Sequence, residues 1–136
     1  MKPQTSAYLD SADEGIRDAK KILAINIPRQ AARLAYYAQF HAAQALIFER
    51  SNKVAKSHKG VDKEFHRLAL AEPTFTFGLA ATLSAAYHFK QVADYEAGPV
   101  GAVTVADGGD AIAAAELFVM SVRRAIAPLP PGTAAP

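Results

Sequence analysis

The sequence predicts an all-α protein, an up-and-down four-helix bundle with an additional short helix. Apolar residues recur at steps of three and four along five segments of the chain, which is the spacing of one helix face. Prolines, glycines and residues suited to helix caps separate these segments. The stretch around Val103 and Val105 alternates as a strand would, but no partner strand is evident. The pattern therefore favours helices.

The first helix is expected to begin near Thr5 or Ser6. A later start at the capping pair Ser11–Glu14 would leave Tyr8 and Leu9 outside the apolar stripe that continues along this segment. The earlier start keeps both side chains on the buried face. We therefore predict that the helix already contains these two residues.

The second helix carries the most informative run of the chain, residues 34–46. This run joins helix-forming alanines to three aromatic rings and a histidine, without glycine or proline. Pro28 suits the first turn of the helix, and the end is expected around residues 50–52. Tyr37 and His41 place polar atoms on the same helix face as several alanines, whose small side chains allow a neighbouring helix to pack closely. Buried polar groups need partners, so these two either tie helices together or belong to a site.

Two further helices follow a polar, basic loop. Ser57 is expected to cap a short third helix, which Glu72–Pro73 ends because the residue before a proline avoids helical geometry. A fourth helix is predicted over residues Phe75 to Tyr95. The segment 97–109, with four glycines, is expected to be a flexible connection.

The last helix is expected to begin near Asp107 or Asp110, where a carboxylate would meet the positive end of the helix dipole. Pro128 is expected to end it. We therefore predict one domain over residues 1–127, followed by a disordered tail rich in proline and alanine over residues 128–136.

Composition excludes several classes of site. The chain of 136 residues has no cysteine, so it has neither disulfides nor cysteine-based zinc sites. The formal charge of +2 is too small to indicate nucleic-acid binding by itself. No metal site is expected around His41, since its neighbours one turn away are Tyr37 and Ala45. No cofactor is expected either, because the glycines lack the strand-to-helix context of a phosphate loop.

No apolar run reaches the length of a membrane span, and the first residues lack the apolar core of a signal peptide. We therefore expect no association with membranes and a cytoplasmic location.

Three segments, in this order, resemble the HEPN superfamily, and in particular a small stand-alone branch of it. Residues 35–43 read AYYAQFHAA, similar to the second helix of that branch. Residues 57–61 with Phe65 resemble its entry to the third helix, an HKGV sequence followed by phenylalanine. Residues 90–95, KQVADY, match its RxxADY motif except at the first position. The likeness spans most of the chain.

This resemblance implies a HEPN-like helical bundle that forms a homodimer, with polar residues of the fourth helix in a cleft between subunits. Many members of the superfamily are metal-independent ribonucleases that carry an arginine followed a few residues later by a histidine. Others are toxins, or accessory subunits paired with a small nucleotidyltransferase in two-gene cassettes. Some members bind nucleotides or act only as scaffolds. The surplus of aromatic and alanine faces is a second ground for expecting a dimer.

The chain departs from the nuclease pattern. Lys90 stands where the arginine would be, and a lysine cannot offer a planar fork to phosphate. Asp94 or Tyr95 stands where the histidine would be. Taken with the resemblance, this departure favours an RNA-, nucleotide- or partner-binding module, and the resemblance implies a toxin–antitoxin-like or defence cassette with a nucleotidyltransferase. The alternative is a metal-independent endoribonuclease with a degenerate active site at the dimer cleft.

Lys90, Asp94 and Tyr95 are the candidate catalytic residues in that alternative and binding residues in either case. We expect them to share the cleft, with Lys90 meeting phosphate and Tyr95 donating a hydrogen bond. The resemblance further implies that Tyr95 is a target of nucleotide transfer by the partner enzyme. The simpler interpretation is an ordinary surface ion pair between Lys90 and Asp94, worth about 0.3–0.5 kcal/mol. His88 points elsewhere on a helix and is treated as peripheral.

The remaining candidate binding residues are Tyr36, Tyr37, His41, His58 and Lys59. For the two tyrosines, core packing is the alternative interpretation, and for His41 it is a hydrogen bond in the core or between helices. His58 and Lys59 belong to a basic stretch, residues 53–67, that would bind phosphate or would simply be a solvated loop and helix start.

Overall fold

The computed structural model describes residues 1–75, 78–95 and 102–127, with the side chain of Tyr95 outside the described part. Within these ranges the chain forms helices and no strand, which confirms the predicted all-α bundle. The helices are α1 (Pro3–Ala24), α2 (Pro28–Ser51), α3 (His58–Leu70), α4 (Leu79–Tyr95) and α5 (Val105–Ile126). The predicted disordered tail, residues 128–136, lies outside the described residues. No described helix has the length and apolar character needed to cross a bilayer.

Helix α2 is the centre of the bundle and packs against each of the other four helices. Its small side chains allow this, because Ala31, Ala35 and Ala38 are fully buried where α1 and α5 meet it. The larger half of the core lies further along α2, where Leu46 and Ile47 pack with aromatic and aliphatic side chains of the other helices. Alanine spacing in the second helix thus sets how closely its neighbours approach.

Both ends of α2 and the start of α3 follow the sequence signals. Helix α2 begins at Pro28 and ends at Ser51, and Asn52 closes it in the left-handed conformation with φ of 56°. Ser57 caps α3 by accepting a hydrogen bond from the backbone N–H of Gly60. Helix α1 begins at Pro3, earlier than expected, since a proline is as suitable in its first turn as in that of α2.

Two predicted helix starts are wrong. Helix α4 begins at Leu79 rather than Phe75, because Gly78 has φ of +90° and a helix cannot pass through that backbone conformation. Helix α5 begins at Val105 rather than at Asp107 or Asp110, because Thr104 is its cap. The first turn of α5 therefore lies in the segment that was expected to be a flexible connection.

Candidate functional site

The ion pair between Lys90 and Asp94 forms within α4, but it is not a surface pair. The Nζ atom of Lys90 lies 2.7 Å from Oδ2 of Asp94, and the two side chains are only 11% and 15% exposed. The hydrogen bond to Asp94 raises the pKa of Lys90, although burial opposes this. The ammonium group therefore stays charged although it is largely enclosed.

A second cation, Arg33 of α2, shares the same carboxylate. Its Nε atom lies 2.8 Å from Oδ1 of Asp94. The contact is one of charge rather than an aligned hydrogen bond, because this N–H has no hydrogen-bond acceptor among the described residues. Among the described residues, two cations thus face one carboxylate, which leaves an excess of positive charge at this point of contact between α2 and α4.

Tyr37 connects this charge cluster to a group of aromatic rings. The Nζ atom of Lys90 lies 5.6 Å from the centroid of the Tyr37 ring, within the range of a cation–π contact. On its other sides the ring packs at 5.2 Å from Tyr36 and at 6.1 Å from His58. Tyr37 is half-buried, whereas Tyr36 is buried in the core. The structure therefore gives the two tyrosines different environments.

His58, the first residue of α3, is hydrogen-bonded to one aromatic residue and stacked on another. Its Nδ1 atom lies 2.6 Å from the hydroxyl oxygen of Tyr36, and its ring stacks on Tyr87 at a centroid distance of 4.6 Å. Burial lowers the pKa of His58, and the charge of Lys90 lowers it further. Burial also raises the pKa of Tyr36, so its phenol stays protonated. The imidazole is therefore neutral near pH 7 and lies within the electrostatic influence of Lys90.

A cavity of about 270 Å³ opens beside His58. Lys59, which is exposed, lies on the rim of this cavity. Inside the cavity, Asp62 accepts a hydrogen bond from Ser84 over 2.9 Å. The cavity is lined by Tyr36, His58, Lys59, Val61, Asp62, Leu83, Ser84 and Tyr87. It therefore combines aromatic surface, a neutral imidazole and a lysine beside the first turn of a helix, a position that favours anions.

The polar contact that the structure gives His41 lies outside this cluster. Its Nδ1 atom lies 2.9 Å from the side-chain oxygen of Gln44, three residues further along the same helix. Gln44 in turn donates to the backbone oxygen of Ala55 over 2.8 Å and so ties α2 to the loop before α3. The hydrogen bond expected for His41 is present, but it lies within α2 rather than between helices.

The structure brings five of the eight candidate binding residues, Tyr36, Tyr37, His58, Lys90 and Asp94, into one continuous cluster, with Lys59 at its edge. The side chain of Tyr95 lies outside the described part. His88, for which a peripheral role is expected, is exposed. Within residues 1–75, 78–95 and 102–127, no group of three or more histidines and carboxylates is placed to hold a metal ion.

Sequence reasoning missed Arg33 and Tyr87. Arg33 precedes Tyr37 by one helical turn, and Tyr87 precedes Lys90 by nearly one turn, so each lies on the helix face of a residue that the motifs did identify. That spacing is the signal that could have found them. Neither residue belongs to the three segments that carry the resemblance.

Comparisons with known proteins agree with this fold. The family model described as HEPN domain matches residues 5–125. A protein of Methanocaldococcus jannaschii named "Putative toxin MJ0605" is 28% identical over 126 residues, which cover 93% of this chain and 91% of the relative. The crystal structure of TT1696 from Thermus thermophilus superposes with a TM-score of 0.77 at 18% identity, over 91% of this chain and 99% of that one.

Proposed function

The chain belongs to the HEPN domain family, and from that premise we propose that it is the binding module of a toxin–antitoxin-like pair, recognising a phosphate and an adjoining base in RNA or in a free nucleotide. The relative named as a toxin supports the setting, because it resembles this chain over nearly the full length of both. The charge cluster and the aromatic group supply the two kinds of contact that a nucleotide needs.

The observation that carries the proposal is that Arg33 and Lys90 share the single carboxylate of Asp94. A phosphate oxygen would complete the charge balance that one carboxylate leaves incomplete. The neighbouring rings of Tyr37, His58 and Tyr87 offer flat surfaces on which a base can stack. A site built this way binds a nucleotide through charge and stacking, without a metal.

Binding of a fluorescein-labelled, single-stranded RNA oligonucleotide, followed by fluorescence anisotropy, tests this proposal. We expect Arg33→Gln to weaken binding by about tenfold, since it removes one phosphate contact. Lys20→Gln is the matched control, because Lys20 is an exposed cation whose partner is Glu116 of α5. Equal affinities for the two variants would contradict the proposal, provided that both keep the wild-type circular dichroism spectrum. Competition by unlabelled ATP separates a preference for free nucleotide from a preference for RNA.

The proposal includes a homodimer whose cleft is bordered by α4 of each subunit. A second copy would extend the positive region over more than one phosphate, as binding of RNA requires. Light scattering at micromolar concentration is expected to give the mass of two chains. A monomer mass would remove the dimer from the proposal and leave only a site for a single nucleotide.

The proposed partner is a small nucleotidyltransferase, with both proteins in the cytoplasm. In this pairing the phenol oxygen of Tyr95 attacks the α-phosphate of a nucleoside triphosphate, and pyrophosphate leaves. Co-expression of the two proteins followed by mass spectrometry is expected to show a gain of one nucleotide in the wild type and none in Tyr95→Phe. An unmodified wild-type chain that also fails to copurify with the enzyme would refute the pairing.

A metal-independent endoribonuclease is the second candidate, and the environment of His58 favours it. In the neutral tautomer whose Nδ1–H donates to the hydroxyl oxygen of Tyr36, the Nε2 atom of His58 is free to accept a proton from a ribose 2′-hydroxyl, and the ring lies near Lys90. We nevertheless expect no specific cleavage by the wild type, because the described residues that contact Lys90 include no second histidine to serve as the acid. Cleavage in the presence of EDTA that is lost in His58→Gln and Lys90→Ala would make the nuclease the better interpretation.

A further inference from the structure

A larger cavity, of about 350 Å³, lies between α2, α4 and α5. It is distinct from the cavity beside His58, with which it shares only Tyr36. Its lining consists of Ala32, Ala35, Tyr36, Gln39, Thr82, Ala85, Ala86, Phe89, Asp107, Asp110, Ala111 and Ala114. Half of these residues are alanines, so the walls are apolar and close-fitting, and the volume is in the range of small-molecule sites, about 300–1,000 Å³.

Gln39 places an unused hydrogen-bond acceptor in this apolar wall. The residue is 1% exposed, and its side-chain oxygen has no hydrogen-bond partner among the residues that the structure describes. Gln39 lies on the same stripe of α2 as Ala32 and Ala35, which also line the cavity, so its side chain is directed towards it. A buried acceptor without a donor is unfavourable, and a ligand N–H would satisfy it.

The charged residues in the lining are both aspartates, Asp107 and Asp110, near the start of α5. The carboxylate of Asp107 is fixed by a 3.0 Å hydrogen bond from the backbone N–H of Thr104, and this bond lowers its pKa. Asp110 is exposed. The rim of the cavity is therefore anionic at neutral pH, which attracts cations and repels phosphates and carboxylates. This preference is opposite to that of the site at Arg33 and Lys90.

We propose that this cavity binds a small organic ammonium ion with a flat apolar body and an N–H donor. The body fills the space between the alanines and the rings of Tyr36 and Phe89. The N–H donates to the side-chain oxygen of Gln39, and the ammonium group lies at the rim beside Asp107 and Asp110. A ligand of this class satisfies the buried acceptor and the two carboxylates at once, which neither a neutral hydrocarbon nor an anion does.

Tryptamine is a suitable probe, because it has an indole body, a ring N–H and an ammonium group on a short arm. Indole-3-acetate has the same ring and the opposite charge. Isothermal titration calorimetry of the full chain is expected to show one tryptamine bound per chain, with indole-3-acetate weaker by at least about tenfold because it loses a charge-assisted contact.

Variants of α5 locate the site. Ala114→Leu places a larger side chain in the cavity and is expected to abolish binding, whereas Ala113→Leu, on an exposed position outside the lining, is expected to leave it unchanged. Asp110→Asn is expected to weaken tryptamine by about tenfold without disturbing the fold, since Asp110 is exposed. Gln39→Leu is expected to have an effect of similar size.

Three results would overturn the proposal. One is the absence of tryptamine binding at millimolar concentration. Another is equal affinity for tryptamine and indole-3-acetate. The third is tryptamine binding that persists unchanged in both Ala114→Leu and Asp110→Asn. These outcomes do not depend on RNA or nucleotide binding, which is tested with Arg33→Gln, a residue outside this cavity lining.

Discussion

Arg33 of α2 and Asp94 of α4 form an ion pair across the bundle, with 2.8 Å between Nε and Oδ1. The same carboxylate also holds Lys90 at 2.7 Å. The three charges are therefore not equivalent for stability. Loss of either cation leaves a matched pair, whereas loss of the carboxylate leaves the enclosed Lys90 near the more exposed Arg33 without an anion between them.

The first prediction concerns the different effects on stability of removing the carboxylate or a cation. Asp94→Asn is expected to lower the free energy of unfolding by about 2 kcal/mol, somewhat below the ~3–5 kcal/mol of a fully buried pair because these side chains keep some access to water. Lys90→Met is expected to cost about 1 kcal/mol or less, since Asp94 keeps Arg33 and the methionine fills the volume of the lysine stem. Urea denaturation monitored by circular dichroism measures both changes.

Lys20→Met is the control for loss of a lysine from an ion pair. Lys20 and Glu116 are 55% and 46% exposed, so this substitution is expected to change stability by less than about 0.5 kcal/mol. If Lys90→Met destabilises the protein as much as Asp94→Asn does, Arg33 is not an effective partner of the carboxylate.

The second prediction follows from the depressed pKa of His58. The unfolded imidazole takes up a proton near pH 6.5, whereas the folded one does so only at lower pH. In that interval the unfolded state binds more protons, so the stability that His58 contributes is complete above about pH 7, begins to decline as the pH falls below 6.5 and is lost once the pH falls below the folded pKa. Unfolding free energies of the wild type are therefore expected to decline on acidification.

His58→Gln isolates this contribution from those of the other histidines. Its stability is expected to decline less steeply between about pH 7.5 and about pH 5.5 than that of the wild type. His88→Gln, which removes an exposed imidazole, is expected to follow the wild-type curve. A wild-type slope that is unchanged by His58→Gln would mean that folding does not perturb this group.

The fold was predictable because helix formation here depends on local signals. The apolar spacing and the positions of Pro28 and Ser57 determine where α2 and α3 begin, and each of these signals lies within a few residues of the end that it sets. The start of α4 was mispredicted because a glycine shows only that a positive φ is allowed, not that Gly78 adopts it.

The site was only partly predictable, because its contacts join residues that are distant in the sequence. The spacing of Lys90 and Asp94 predicts their ion pair, but nothing local shows that Arg33 of another helix covers the same carboxylate. The burial of the pair is likewise a property of the assembled bundle. Motif residues therefore indicated where the candidate site would lie, while its charge balance required the structure.

The third prediction tests the cap of α5. The hydroxyl of Thr104 accepts from the backbone N–H of Asp107, and the carboxylate of Asp107 accepts from the backbone N–H of Thr104, both over 3.0 Å. Thr104→Ala removes one of these two bonds and is expected to cost about 1 kcal/mol in thermal or urea denaturation. Thr104→Ser keeps the hydroxyl and is expected to remain within about 0.5 kcal/mol of the wild type. Equal losses for alanine and serine would exclude the hydroxyl as the stabilising group.

The fourth prediction compares the two adjacent glycines of α5. A Cβ atom on Gly108 would lie 2.8 Å from a terminal methyl carbon of Leu23 and 3.3 Å from Cβ of Pro28, whereas on Gly109 it would meet nothing within 4 Å. Alanine favours a helix over glycine by about 1 kcal/mol at either position. Gly109→Ala is therefore expected to stabilise the protein by about 0.5–1 kcal/mol.

At Gly108 the flexible end of Leu23 can move, but the proline ring at the start of α2 cannot, so overpacking of about 1–3 kcal/mol cancels or exceeds that gain. Parallel urea titrations are expected to show Gly108→Ala at least about 1 kcal/mol less stable than Gly109→Ala. Equal stabilisation by both would mean that α5 does not pack this closely against the junction of α1 and α2.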